Sequence, residues 1–132
     1  MKYILMMNGS QKGWDTFCSW PKEDLQGHIG FMINFCKELK QEGSLVAAEG
    51  LATPDQARIV RAGDKSGAPI TDGVFPETKE FLAGYWIVEV DSPEKAYSIA
   101  ARASAAPGKG GAPMNMPIEV RQIMSGPPEE FV

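Results

Sequence analysis

The sequence has one histidine, two cysteines, no clustered positive charge and no apolar run longer than a strand, and each scarcity removes a class of function. Cys18 and Cys36 lack C-x-x-C spacing and have no His/Cys cluster around them, which argues against structural zinc, any other metal site and a thioredoxin-type redox pair. Both are expected to be reduced thiols that pack as small hydrophobes. The 17 acidic residues outnumber the 13 basic ones, for a net charge of -4, and the basic residues are scattered singly. Phosphate binding needs clustered positive charge, so nucleic acid is not an expected partner. No stretch approaches the roughly twenty apolar residues that cross a bilayer, so no membrane association is expected. Met1 to Met7 begins like a signal peptide, but Asn8, Gly9, Ser10 and Gln11 end it short of a secretory apolar region, and a cytoplasmic location is the expectation.

What is present reads as one domain over residues 1–124, followed by a polar, Pro-rich tail at 125–132. A chain of 132 residues is long enough to bury a single core. Lys2 to Asn8, led by Tyr3 and Ile4, has the length and composition of a buried opening strand. Gly9 to Trp20 reads as a loop. Pro21, followed by Glu23 and Asp24, suits a helix start, and Leu25, Ile29, Met32, Cys36 and Leu39 lay an apolar stripe along that helix as far as the cap at Gly43. Short strands are expected at Ser44 to Ala48 and Ala57 to Ala62. Gly84 to Val90 reads as a central strand buried on most of both faces. Ser92 and Pro93 open a second helix whose apolar side is Ala96, Ile99, Ala100 and Ala103. A Gly/Pro-rich flexible connection from Pro107 to Pro117 precedes a last strand over Ile118, Val120 and the Ile123 and Met124 pair.

This order predicts an α+β, ferredoxin-like β-α-β-β-α-β plan with an extra hairpin segment in the middle. Two helices can cover only one face of such a sheet. The other, apolar face is expected to be covered by a second copy of the chain, as a homodimer.

One segment carries a specific resemblance. Thr71, Asp72, Gly73, Val74, Phe75, Pro76, Glu77, Thr78, Lys79 and Glu80 resemble the D-G-P-F-x-E-T-K-E signature of the DGPF-type subgroup of YCII-related bacterial proteins, with Val74 in place of the usual proline. Similarity extends to the Met1-Lys2-Tyr3 start, to His28-Ile29 and Phe31-Met32, to Gly84 through Asp91, and to Asn115 through Arg121. The resemblance implies a ferredoxin-like fold that dimerises sheet against sheet into an α+β barrel, with no cofactor. In some relatives a His/Asp pair is regarded as the catalytic centre, and one branch is associated with dehydrochlorination of a hydroxylated aromatic. In relatives with that dyad the helical histidine lies nearer the glycine that ends the helix, so His28 need not be the same residue.

Taken as residues, Asp72-Gly73 is a turn-forming pair and Glu77 to Glu80 can be a solvated loop of mixed charge. The functional alternative has Gly73 admitting a ligand close to the backbone, Asp72 orienting a base or a hydroxyl, Phe75 plugging the apolar side and Lys79 attracting an anion, with Glu77, Thr78 and Glu80 around it. His28, the side chain best suited to proton transfer near neutrality, falls at the edge of the helix stripe and should lean toward the sheet. It reads either as a hydrogen-bonded core-edge residue or as an acid/base paired with Asp72 or Glu80. Trp86 or Tyr85 should meet a cavity, because neighbouring strand residues face opposite sides. Gly108 to Gly111 does not form a phosphate loop: G-x-x-x-x-G-K-[ST] spacing is absent, and the segment follows a helix.

Two functions from different classes remain. One is a protein that binds a small molecule in its barrel, with isomerase, lyase or dehydrochlorinase-like chemistry based on His28 and Asp72. The other is a non-catalytic ligand-sensing or regulatory module, since DGPF-type proteins resemble domains associated with extracytoplasmic-function sigma factors.

Overall fold

Lys2–Gly9 forms strand β1, which lies between two antiparallel partners, β5 (Phe81–Glu89) and β6 (Ile118–Gln122). Strand β2 (Leu45–Gly50) pairs with the far edge of β5, giving the sheet order β2-β5-β1-β6. The structure is a computed structural model that describes residues 1–63, 67, 70–72 and 80–131. Helix α2 (Lys22–Gln41) joins β1 to β2, and α3 (Pro93–Ser104) joins β5 to β6. This is the ferredoxin-like α+β arrangement, with the central pair formed by the first strand and the strand before the second helix. The expected extra hairpin is a separate two-stranded sheet of β3 (Ile59–Arg61) and β4 (Ile70–Asp72).

Register decides which side chains meet the helices, because successive strand residues point to opposite faces. Tyr3 pairs with Val88 and Leu5 with Trp86, and all four are buried against Phe35, Leu39 and Ile99 of the helices. Leu5, Leu39 and Val88 are fully enclosed, and each such burial stabilises the fold by about 1.5–3 kcal/mol. Ile4 pairs with Ile87 and Met6 with Tyr85 on the opposite face, where all four are only half-buried. Within one chain, burial of strand β5 therefore alternates along Gly84 to Val88, with one face enclosed by the helices and the other half-buried.

Helix α2 begins after Pro21, carries Glu23 and Asp24 in its first turn and Lys40 in its last, and so complements its own dipole at both ends. Gly43, at φ +79, turns the chain out of the helix in the left-handed region. Most of the expected stripe faces inward: Leu39 is enclosed and Met32 and Cys36 pack against the core, joined by His28 and Phe35, whereas Ile29 is 53% exposed. Helix α3 is capped by the Ser92 hydroxyl, which accepts from Lys95 N–H at 3.3 Å, and packs closely because Ala96, Ala100 and Ala103 add almost no width. Arg102 ties the two helices together. Its guanidinium donates to both carboxylate oxygens of Glu42 at 3.1 Å and to Glu38 at 3.0 Å, and lies 5.3 Å from the centre of the Phe35 ring. The hydrogen bond to Glu42, supported by Glu38, raises the Arg102 pKa despite partial burial.

Two further readings are corrected. Gly9 to Trp20 is not a loop: Gln11–Cys18 forms helix α1, started by the Ser10 hydroxyl accepting from Gly13 N–H at 3.1 Å. Strand β6 stops at Gln122, so Ile123 and Met124 lie beyond it, with Ile123 N–H donating to Lys2 O at 2.8 Å.

Candidate functional site

Helix α1 places an aromatic residue every third position on its inner side, Trp14 and Phe17, and Trp20 continues the spacing past its end. Trp14 and Phe17 stack at 5.7 Å, and Phe17 and Trp20 meet at 4.9 Å. Both Phe17 and Trp20 then approach the imidazole of His28 edge to face, at 5.4 and 6.0 Å. These contacts leave His28 only 7% exposed.

One nitrogen of the ring is committed. His28 Nδ1 lies 3.0 Å from the carbonyl oxygen of Pro107, which can only accept, so Nδ1 carries the hydrogen and donates it. In the neutral ring Nε2 is then an unprotonated acceptor. It makes no hydrogen bond to a described residue. No fully buried side-chain nitrogen or oxygen among the described residues lacks a partner, so Nε2 is not completely sealed from solvent.

The Pro107 carbonyl is held by a loop that is far from a slack connection. Pro107 bridges to Pro113, Gly108 N–H donates to Ala112 O at 2.6 Å, and Met114 N–H donates to Ala106 O at 2.9 Å. Gly110 N–H donates to the Asp24 carboxylate at 3.0 Å, fastening the loop to the first turn of α2. Gly108 permits this closeness, because a Cβ there would sit 2.9 Å from Met114 Cγ. The Gly/Pro content that suggests flexibility instead allows a tightly folded brace behind His28.

Two cavities meet at His28 and Met7. The first, about 440 Å³, lies between α2 and strands β2 and β5, with Met32, Cys36, Gly50, Gly84 and Trp86 in its walls and Lys37 and Glu49 as its charged groups. Its width near the sheet reflects Gly84, where any side chain would press on Glu49 O, 3.0 Å from an added Cβ. The second, about 330 Å³, lies between α1 and the start of β5, walled by Trp14, Phe17, Phe81, Met114 and Met116, with Glu80 as the charged group among the described residues.

Thus His28 and Trp86 share the first cavity, and His28 and Glu80 share the second. Trp86 is buried on the helix-facing side of β5, its ring 5.8 Å from that of Phe35, while Tyr85 is directed to the opposite face. The backbone of Asp72 ends β4 opposite Ile59. Its side chain lies outside the described residues, as do Gly73, Phe75, Glu77, Thr78 and Lys79. Among the described residues no group of three or more His, Cys, Asp or Glu side chains converges to hold a metal ion. No helix among them is long and apolar enough to cross a membrane.

Sequence reasoning treats Trp14 as core material and misses Phe17 and the Pro107 carbonyl. The aromatic spacing of three, directly after a capping serine, is the signal that could have found α1. A backbone acceptor has no sequence signal of its own. No curated protein matches the chain. The YCII-related domain model matches residues 1–112, from β1 through the loop that braces His28, and the chain belongs to that family.

Proposed function

We propose that the protein binds a small organic molecule against His28 and that Nε2 accepts a proton, or a hydrogen bond, from it. The observation that carries this reading is a nearly buried imidazole that lines two cavities and whose Nδ1–H is occupied by Pro107 O. Such a ring is preorganised as a base: one tautomer is selected, the aromatic wall limits bulk water, and the Nε2 lone pair is left for a ligand. In an isomerase Nε2 takes a proton from one carbon and the resulting imidazolium returns it to another; in a lyase or dehydrochlorinase-like elimination the C–H electron pair forms the new double bond as the leaving group, chloride in the second case, departs with its bonding pair, and the imidazolium gives its proton to water. No cofactor is required for that step. Glu80, in the same cavity, and Asp72, in the DGPF-like segment, are the two carboxylates proposed to orient the ligand or stabilise the imidazolium.

A thermal-shift screen of small organic molecules on the wild type and His28→Asn tests the idea, since a ligand of the native state alone must raise its stability. Ligands that stabilise the wild type should lose about tenfold or more in affinity to the variant, in which the Asn amide can still donate to Pro107 O. Stabilisation by a sigma factor, with no response to any small molecule, would replace this reading with the regulatory module.

A further inference from the structure

The second cavity has a chemical bias that the first lacks. Its walls bring the rings of Trp14, Phe17 and Phe81 together with the thioethers of Met7, Met114 and Met116. Aromatic faces carry negative charge density, and thioether sulfur is polarizable and accepts weakly. The polar groups point the same way. Glu80 is the one charged side chain lining this space among the described residues, and His28, which also lines it, has its Nε2 lone pair uncommitted by the bond to Pro107 O. By contrast, the described residues of the first cavity set Lys37 against Glu49, with no net preference for sign.

An anion entering the second cavity would face ring quadrupoles, sulfur and a carboxylate, with no Lys or Arg from the described lining to offset its lost hydration. A cation with apolar substituents meets a favourable partner on each of those walls: ring faces attract it, methionines cover its alkyl groups, and Glu80 neutralises its charge. We infer that this cavity selects an organic ammonium compound with apolar substituents, a hydroxyl or N–H of which can donate to His28 Nε2. The inference rests on the reading that a small molecule occupies the space beside His28, and it names the class.

The test is an NMR titration of the full chain, labelled with ¹⁵N, using choline and its neutral isostere, in which carbon replaces the quaternary nitrogen. The two probes have the same shape and the same hydroxyl and differ in charge. Choline should move the Trp14 indole N–H and the His28 ring signals saturably and bind at least about tenfold more tightly than the neutral compound. Glu80→Gln, on an exposed residue, should weaken choline about three- to tenfold and the neutral isostere distinctly less. Trp14→Leu should weaken both probes but choline more, with Trp14→Phe, which keeps an aromatic face, partly restoring the preference for choline. Equal affinity for the two probes would overturn the cationic class while leaving the small-molecule reading intact, because the neutral compound would still report on His28. Absence of saturable shifts with both probes, or choline shifts mapping away from Trp14 and His28, would overturn it as well. The wider reading then stands or falls separately on the thermal-shift screen.

Discussion

A carbonyl acceptor at one nitrogen of His28 determines what the other nitrogen can do. In the neutral protein the ring proton should reside on Nδ1, and long-range ¹H–¹⁵N correlation should show Nε2 as the unprotonated nitrogen; the reverse assignment would mean that Pro107 O does not hold the ring. Tyr3 offers a second residue-level test. Burial, with smaller contributions from the Tyr97 and Glu94 charges, raises its phenol above the usual value of 10.0. A raised folded-state pKa means that the neutral phenol is favoured by folding, so its contribution is complete below pH 10.0 and is lost as pH climbs through the folded-state value. Tyr3→Phe should flatten the alkaline fall in stability, measured by denaturation at a series of pH values above neutrality. An unchanged alkaline slope would show that the phenol stays ionisable at no cost to the fold.

Among the elements, α2 shows how far a sequence pattern reaches. Spacing of three and four located the helix and both ends, since Pro21, the acidic first turn and Gly43 act locally. The facing departs from the stripe only at Ile29 and His28, because hydropathy alone places Ile29 inward and treats His28 as an edge residue, whereas Phe17, Trp20 and Pro107 O supply His28 with an aromatic and hydrogen-bonded niche. That niche is built by α1 and the loop after α3, so nothing within α2 announces it. Helix α1 itself is only eight residues long and contains Gly13, too weak a propensity to read as helix without its packing partners. The DGPF-like segment is the clearest motif by resemblance, yet Gly73 to Lys79 lies outside the described residues, and of that segment only Glu80 enters the described site. The facing of α2 can be checked by substitution: Leu39→Ala should cost about 2–5 kcal/mol, and Ile29→Ala less than about 1 kcal/mol. Chemical denaturation giving equal losses would restore the stripe read from hydropathy. At Gly84, alanine should destabilise by about 1–3 kcal/mol, because the atom it meets is the Glu49 carbonyl, which cannot rotate away.

For the molecule as a whole, the sheet face away from the helices carries Ile4, Met6, Tyr85 and Ile87 at its centre, with exposed Glu119 and Arg121 beside them on β6. Opposite charges two residues apart on one strand suit a two-fold contact, in which Glu119 of each copy can meet Arg121 of the other. We propose that a second copy covers this face. Light scattering should report a dimer, and Ile87→Lys should convert it to a folded monomer; a wild type that stays monomeric as concentration rises would refute the assembly. Inside each subunit, the Arg102 clamp has a further consequence. It grips α2 through Phe35 and Glu38 in the second half of the helix and through Glu42 at its C-cap, while the first half carries His28, which lines both cavities, and Gly27 and Gly30, where an added Cβ would meet open space. One continuous helix should therefore open unevenly to solvent. Backbone amides near Gly30 should exchange their hydrogens for deuterium well before those near Leu39, and a ligand seated against His28 should slow the first group while leaving the second unchanged.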